Sequence, residues 1–150
     1  MNQTITQKDK APGGLRATFL GVDHPAVAAD DVQALSDWYC DVLGYERWFL
    51  HQKAKTVWML KAPDDTLLEI MPKDDTLRHN RTTWTPGWSH LALRVSDIEA
   101  AIAFLEQFGV IWGGDLTNAI GGGRVRNFFD PEGNMLQLLQ RTASLPPLGE

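Results

Sequence analysis

The chain has 150 residues, 43% of them hydrophobic, and a formal net charge of −5 with acids and bases scattered along it. That is enough for one ordinary globular domain with a true core. The acidic balance, with no basic stripe, argues against nucleic acid and against an anionic membrane as partners. No apolar run approaches the roughly 20 residues that cross a bilayer.

Cys40 is the only cysteine, so no intrachain disulfide is expected, which fits a reducing compartment. The opening stretch "MNQTITQKDKAPGG" has no apolar h-region, so no secretory signal is expected. A soluble, cytoplasmic protein is the expectation. Residues 1–16 and 143–150 read as loose tails.

In chain order, "VDHPAVAADD" (22–31) is the first strand candidate and carries His24. Pro25 has no N–H to give to a ladder, so this strand must be at an edge or bulged. Asp30 and Gln33 form a capping-box pattern at the start of a helix. Its apolar stripe is Val32, Leu35, Tyr39, Val42 and Leu43, and Gly44 is placed to end it in a left-handed conformation. Strands are expected at 46–52 and 56–62. "APDDTLLEIM" (62–71) then gives a turn and a strand with Glu69 among apolar residues. Residues 73–87 read as a polar linker.

The same order then recurs, and a repeat of this kind governs the whole fold. "WSHLALRVSD" (88–97) puts His90 on an alternating strand. Ser96 and Glu99 repeat the capping box. Ile98, Ala101, Ile102, Leu105 and Phe108 form the second stripe, closed by Gly109. Strands are expected at 110–114 and 124–130, with 117–124 ("TNAIGGGR") a flexible glycine-rich loop suited to a lid. "DPEGNMLQLL" (130–139) matches "APDDTLLEIM", with Pro131 on Pro63 and Gln137 on Glu69. Each half therefore reads βαβββ: residues 17–72 and 88–142 of one structural domain.

Alternation sorts the faces. His90 goes with Ala92 and Arg94, against Leu91, Leu93 and Val95. Glu69 goes with Leu67 and Met71, against Leu68 and Ile70. The amphipathic helix must cover the apolar face, so His24, Glu69, His90 and Gln137 take the other. If the halves pair about a pseudo-twofold axis, two imidazoles, a carboxylate and an amide oxygen converge. That set suits a divalent first-row metal with positions left open.

Single residues carry less. A lone strand histidine is more often structural than a ligand, and Glu69 could be an edge glutamate facing water. A buried, unpaired carboxylate would be costly, and the equivalence of the four positions across the repeat favours a shared site. His51 and His79 have no repeat partners and read as surface residues. Arg94, Arg124 and Arg126 are candidates to hold an anionic substrate group. Trp48, Trp58, Trp84, Trp88 and Trp112 are candidates for an aromatic pocket, with Trp58 and Trp112 taken as substrate contacts; core packing is the competing reading.

With these residues in place, the chain resembles the vicinal oxygen chelate superfamily, which includes glyoxalase I, methylmalonyl-CoA epimerase, fosfomycin-resistance thioltransferases, bleomycin-binding proteins and extradiol dioxygenases. The resemblance covers about residues 17 to 141. It rests on "DHPAVAADDVQALSDWYCDVLGYE", "WSHLALRVSDIEAAIAFLEQFG" and "FFDPEGNMLQLLQ". It implies an α+β fold: two βαβββ modules forming an open, cupped, mixed β-sheet barrel with helices outside.

The resemblance also places His24, Glu69, His90 and Gln137 on the family's four metal-ligand positions. It implies a divalent ion (Zn, Ni, Mn, Co or Fe(II)), a small-molecule substrate chelating through vicinal oxygens, and a homodimer, in some members with the metal site completed across the interface. Gln137 departs from the glutamate many members carry there. The only carboxylate is in the first half, so the set mirrors the His-Gln-His-Glu of the epimerase. The reading is a glyoxalase-like lyase or isomerase with Glu69 as base. An extradiol-type iron(II) dioxygenase and a metal-free drug-binding protein are the alternatives.

Overall fold

The computed structural model describes residues 20–144. The expected N-terminal tail, and the C-terminal one beyond 144, lie outside that range. Ten of the expected elements form, and one that was not expected.

The first module runs β1 (Ala26–Ala29), α1 (Val32–Leu43), β2 (Glu46–His51), β3 (Val57–Lys61) and β4 (Leu67–Pro72). The second runs β5 (Leu91–Arg94), α2 (Ile98–Glu106), β6 (Ile111–Trp112), β7 (Thr117–Asn118), β8 (Arg124–Phe129) and β9 (Met135–Gln140). The first sheet has the order β1-β4-β3-β2 and the second β5-β9-β8-β6, with β7 added against β8. Each first strand lies parallel to the last of its module, and the other pairs are antiparallel. The helix of each module supplies the crossover that a parallel pair needs. Among the described residues no strand pair joins the two sheets, so the cup is open and does not close into a barrel.

The helices cover the faces the alternation assigns. Leu60, Leu68 and Ile70 are buried and α1 packs on β3 and β4 through Val32, Leu35, Ser36, Tyr39 and Val42. Leu136, Leu138 and Phe128 are the matching floor in the second module, with Ile98 and Leu105 of α2 buried in the same core. Each such side chain contributes about 1.5–3 kcal/mol. As Pro25 requires, β1 is an edge strand; the Pro25 carbonyl still accepts from the Glu69 amide at 3.0 Å.

Both helix starts fall one residue later than the capping boxes predict. Asp31 and Asp97 are the N-caps, in extended conformation, accepting from the Ala34 and Ala100 amides at 2.9 and 3.0 Å. The amide of Asp30 is instead taken by Glu132. That shift places Gln33 and Glu99 too early in the first turn to reach back. Gln33 accepts from the Trp58 indole and donates to Asp37, while Glu99 pairs with Arg124. Helix α2 also stops at Glu106, leaving Phe108 beyond it and half exposed.

The glycine-rich stretch is not a free loop. β7 turns back onto β8, pairing Thr117 with Val125 and Asn118 with Arg124. The guanidinium of Arg141 donates to the Ile120 and Gly122 carbonyls and pins the hairpin. A lid reading is corrected accordingly: its backbone is already paired.

The β3–β4 and β8–β9 turns are near copies. Ala62 and Asp130 each donate to a carbonyl four residues on, Thr66 and Asn134, and each accepts from the residue three on, Asp65 and Gly133. Those last residues are both left-handed, at φ 66° and 79°, so an aspartate in one copy holds a conformation that glycine adopts freely in the other.

The second turn locks the modules together. The Glu132 carboxylate accepts from the Asp30 and Asp31 amides, at the N-terminal end of α1, and the buried Tyr39 hydroxyl donates to the buried Asp130 at 3.1 Å. From the linker, Arg78 donates to the Glu132 carbonyl and to the Asn134 side chain.

Candidate metal and ligand site

His24 lies two residues before β1 and His90 one residue before β5, so each ring sits just off a strand end. Register puts Glu69 opposite Ala26 on one side and Met59 on the other; Gln137 lies opposite Ala92 and Asn127. Glu69 and Gln137 therefore hold equivalent places on the faces turned away from the helices.

His24 and Glu69 are brought together. His24 Nε2 stands 3.5 Å from Glu69 Oε2, with side chains 28% and 25% exposed. The other ring nitrogen, Nδ1, is 2.6 Å from Asp23 Oδ2. A carboxylate on Nδ1 fixes the tautomer and leaves Nε2 with a free lone pair, as in metal-ligating histidines. The separation also fits: two ligands about 2.1 Å from one tetrahedral ion stand about 3.4 Å apart.

The second half repeats this logic. The hydroxyl of the preceding residue, Ser89, lies 3.0 Å from His90 Nδ1; where the ring donates to it, Nε2 keeps its lone pair for a ligand. Gln137 Nε2 donates to Asn127 Oδ1 at 2.9 Å, which leaves the amide oxygen as the available atom. Each half thus presents one imidazole nitrogen and one side-chain oxygen, each of the four side chains but Glu69 oriented by a neighbour. Among the described residues no three His, Cys, Asp or Glu side chains form a group able to hold a metal, so His24, Glu69 and His90 do not gather into one such group within the chain.

The tentative substrate contacts separate by face. The Trp58 indole donates to Gln33 of α1 at 3.1 Å and lies under Arg47. Arg124 is held by Glu99 of α2. Arg126 stacks on Trp112 at 3.9 Å and donates to the Gly114 carbonyl. Their strand partners Ile70, Gln140, Leu138 and Phe128 belong to the helix side. All four thus lie on the face opposite Glu69 and Gln137, engaged by neighbours. Arg94 pairs with Leu139 and so shares the face of Gln137. It adds a small share to holding the Asp64 carboxyl below its ordinary value, after the larger effect of the Thr66 hydroxyl and amide. Of the other tryptophans, Trp48, Trp84 and Trp88 are exposed.

A cavity of about 280 Å³ opens beside Glu69, lined also by Phe49, His51, Val57 and Met59. His51 reads from the sequence as a surface residue, and it is exposed, but it belongs to this cavity. A β-bulge puts it there. Arg47 faces Leu60 and His51 faces Val57, so one residue more is used on β2 than on β3. Regular pairing onward from Arg47 would set Leu50 opposite Val57 and turn His51 to the helix side. The slip is invisible in a two-residue alternation, so the sequence carries no signal for it.

The family model described as the Glyoxalase/Bleomycin resistance protein/Dioxygenase superfamily matches residues 21–138. The uncharacterized protein YaeR of Escherichia coli (strain K12) is 28% identical over 123 residues, covering 80% of this chain and 95% of that one. The glyoxalase family protein from Enterococcus faecalis superposes with a TM-score of 0.70 at 29% identity, over 81% of this chain and 98% of that one. A fold likeness alone, at 15% identity and a TM-score of 0.67, joins it to a variant of the fosfomycin resistance protein FosX from Listeria monocytogenes. That structure contains Mn(II) and 1S,2S-dihydroxypropylphosphonic acid, and the match covers 83% of this chain and 94% of that one. With the family model spanning most of the chain and both modules folded as that family folds, this protein belongs to the glyoxalase/bleomycin resistance/dioxygenase superfamily.

Proposed function

We propose that the protein is a metal-dependent lyase or isomerase of glyoxalase type, its site built from His24 and Glu69 of one chain and His90 and Gln137 of a second copy. The observation that carries the reading is the His24–Glu69 pair. It has the separation of two ligands on one ion, and its imidazole is oriented from behind by Asp23. The pairing with a second copy is supported by the repeat: His90 and Gln137 hold the sequence positions equivalent to His24 and Glu69, and no complete set gathers within one chain among the described residues. Exposed apolar side chains on or near these faces, Trp48, Phe49 and Trp88, suit coverage by a partner.

A bound divalent ion supplies Lewis-acid polarisation of a substrate carbonyl and acidifies the neighbouring C–H. The chain's own groups do the rest. Asp23 holds the His24 ring, and Asn127 fixes the Gln137 amide with its oxygen outward. Glu69 takes the proton from the activated carbon and returns it to the adjoining one. Glutamine in place of a second carboxylate keeps the ligand set less negative, which favours that acidification.

The test is complementation. His24→Ala and His90→Ala are each expected to lose metal. In an equal mixture, after exchange of subunits, about a quarter of wild-type metal content returns, because each mixed dimer regains one intact site. Full metal content in either single variant would sink the reading, and no recovery on mixing would sink its shared-site part.

A further inference from the structure

We propose that Trp88 of a second copy seats in the apolar cavity beside Glu69, so that the partner supplies a wall of the site as well as ligands. The proposal rests on the reading that sets His90 of a second copy against His24 and Glu69, and it names the side chain that anchors that pairing.

Three observations carry it. The first is register. The apolar lining of the cavity is Phe49, Val57 and Met59, and Phe49 reaches it through the slip of β2 at Trp48. Glu69, Met59 and Phe49 form one row across the strands. Val57 and His51 stand in the next row, toward the C-terminal end of β4. Two residues of strand separate the rows, about 7 Å. Trp88 stands the same two residues before His90. With β5 of the second copy antiparallel to β4, His90 beside Glu69 sets the Trp88 ring over Val57.

The second observation is how Trp88 is held. It is 92% exposed, yet its backbone is fixed. The Arg81 guanidinium donates to the Pro86 and Trp88 carbonyls, each at 3.0 Å. Across the same turn the Thr85 amide donates to the Thr82 carbonyl and the Thr82 amide to the Thr85 hydroxyl. An indole in water adds nothing to the core of its own chain, and one on a fixed backbone loses little freedom when it docks.

The third is a contrast between the halves. A twofold dimer that sets Trp88 against the first module also sets Val22, two residues before His24, against the second. There Asn127 takes the place of Met59 beside Gln137, and Gly113, whose amide donates to the Asn127 carbonyl at 2.8 Å, takes the place of Phe49. The large aromatic side chain therefore meets an apolar cavity, and the small one meets a polar floor. Each protruding residue suits the surface it faces.

The test is NMR on an equal mixture of two preparations of the full chain, one isotope-labelled at its methionine methyls and one unlabelled. A nuclear Overhauser contact is expected between the labelled Met59 methyl, assigned from Met59→Leu, and indole protons of the unlabelled copy. It disappears when the unlabelled copy carries Trp88→Leu. In sedimentation Trp88→Leu is expected to weaken the dimer about thirty-fold or more, as loss of a buried aromatic anchor does, and Trp84→Leu by less than about three-fold. Trp84 is the control because it is as exposed as Trp88 and belongs to the same turn. A chain that stays monomeric at millimolar concentration would overturn the proposal. So would a dimer without the Met59–Trp88 contact, or one that the two tryptophan variants weaken alike. A dimer that holds metal yet lacks the contact removes the Trp88 seat and leaves the shared metal site. One with the contact but no metal removes the metal reading and leaves the seat in place.

Discussion

The carboxylate of Glu132 closes on the first turn of a helix in the other module: Oε2 lies 2.7 Å from the Asp30 amide and Oε1 2.9 Å from that of Asp31. A side chain more than a hundred residues away thus completes the capping of α1, which Asp31 alone would leave partial. The contact combines the satisfaction of unpaired amides with favourable charge at a helix N-terminus.

Glu132→Ala is therefore expected to cost about 1–2 kcal/mol, lowering the thermal midpoint by several degrees. Glu132→Gln should retain part of this, since it offers one acceptor oxygen where the carboxylate gives each N–H its own, and it carries no charge. Urea melts of both variants beside wild type provide the measurement. No loss in the alanine variant would mean that water replaces Glu132 without cost.

Alkaline pH should weaken the fold through Tyr39. Burial, then the nearby Asp130 carboxylate and the hydrogen bond to it, push the phenol far above its ordinary value of 10.0. The folded state keeps that proton while the unfolded chain releases it near pH 10, so stability is full below about pH 10 and falls as pH rises beyond it. Tyr39→Phe should start lower by about 1 kcal/mol for the lost hydrogen bond and show a shallower alkaline decline. Tyr45, also raised by burial and then by Asp64, contributes the remaining slope. Parallel melts from pH 8 to 11 would reveal it; identical slopes would remove Tyr39 as the source.

Asp23→Asn tests the orientation of His24 apart from its presence. Loss of the carboxylate on Nδ1 is expected to weaken divalent-metal affinity about 10- to 100-fold with little change in melting temperature, because Asp23 is exposed. Metal titration with a competing chelator gives the number. Unchanged affinity would show that the ring needs no such support.

Gly123→Ala should be among the most damaging changes outside the core. At φ 97° a Cβ would stand 2.0 Å from the Gln140 carbonyl oxygen, so the backbone of β9 or the hairpin must move. A loss of about 2 kcal/mol or more is expected. The hairpin's amides should also lose protection from hydrogen exchange. A neutral effect would mean that the hairpin is easily displaced.

Much of this molecule was legible in its residues. Periods of 3.6 and 2 located both helices and the main strands, and the internal repeat revealed two modules. Pro25 marked β1 as an edge strand. The face shared by Glu69 and Gln137 followed from alternation, because a helix must cover the opposite face. Those features depend on local spacing, which a chain carries wherever it folds.

Other features depended on contacts between distant segments. Glu132 arrives from the other module to take the Asp30 and Asp31 amides beside the Asp31 cap, a contact that no local spacing announces. Thr117–Asn118 became a strand because Arg141 and β8 hold a glycine-rich turn against them. His51 entered the cavity because the β2–β3 register slips by one residue at Trp48. Arg124, Arg126, Trp58 and Trp112 took the helix side, where Glu99 and Gln33 engage two of them. Periodicity determined which faces exist; only tertiary pairing decided which side chains meet there, since a one-residue slip reverses a strand's faces while leaving its composition unchanged.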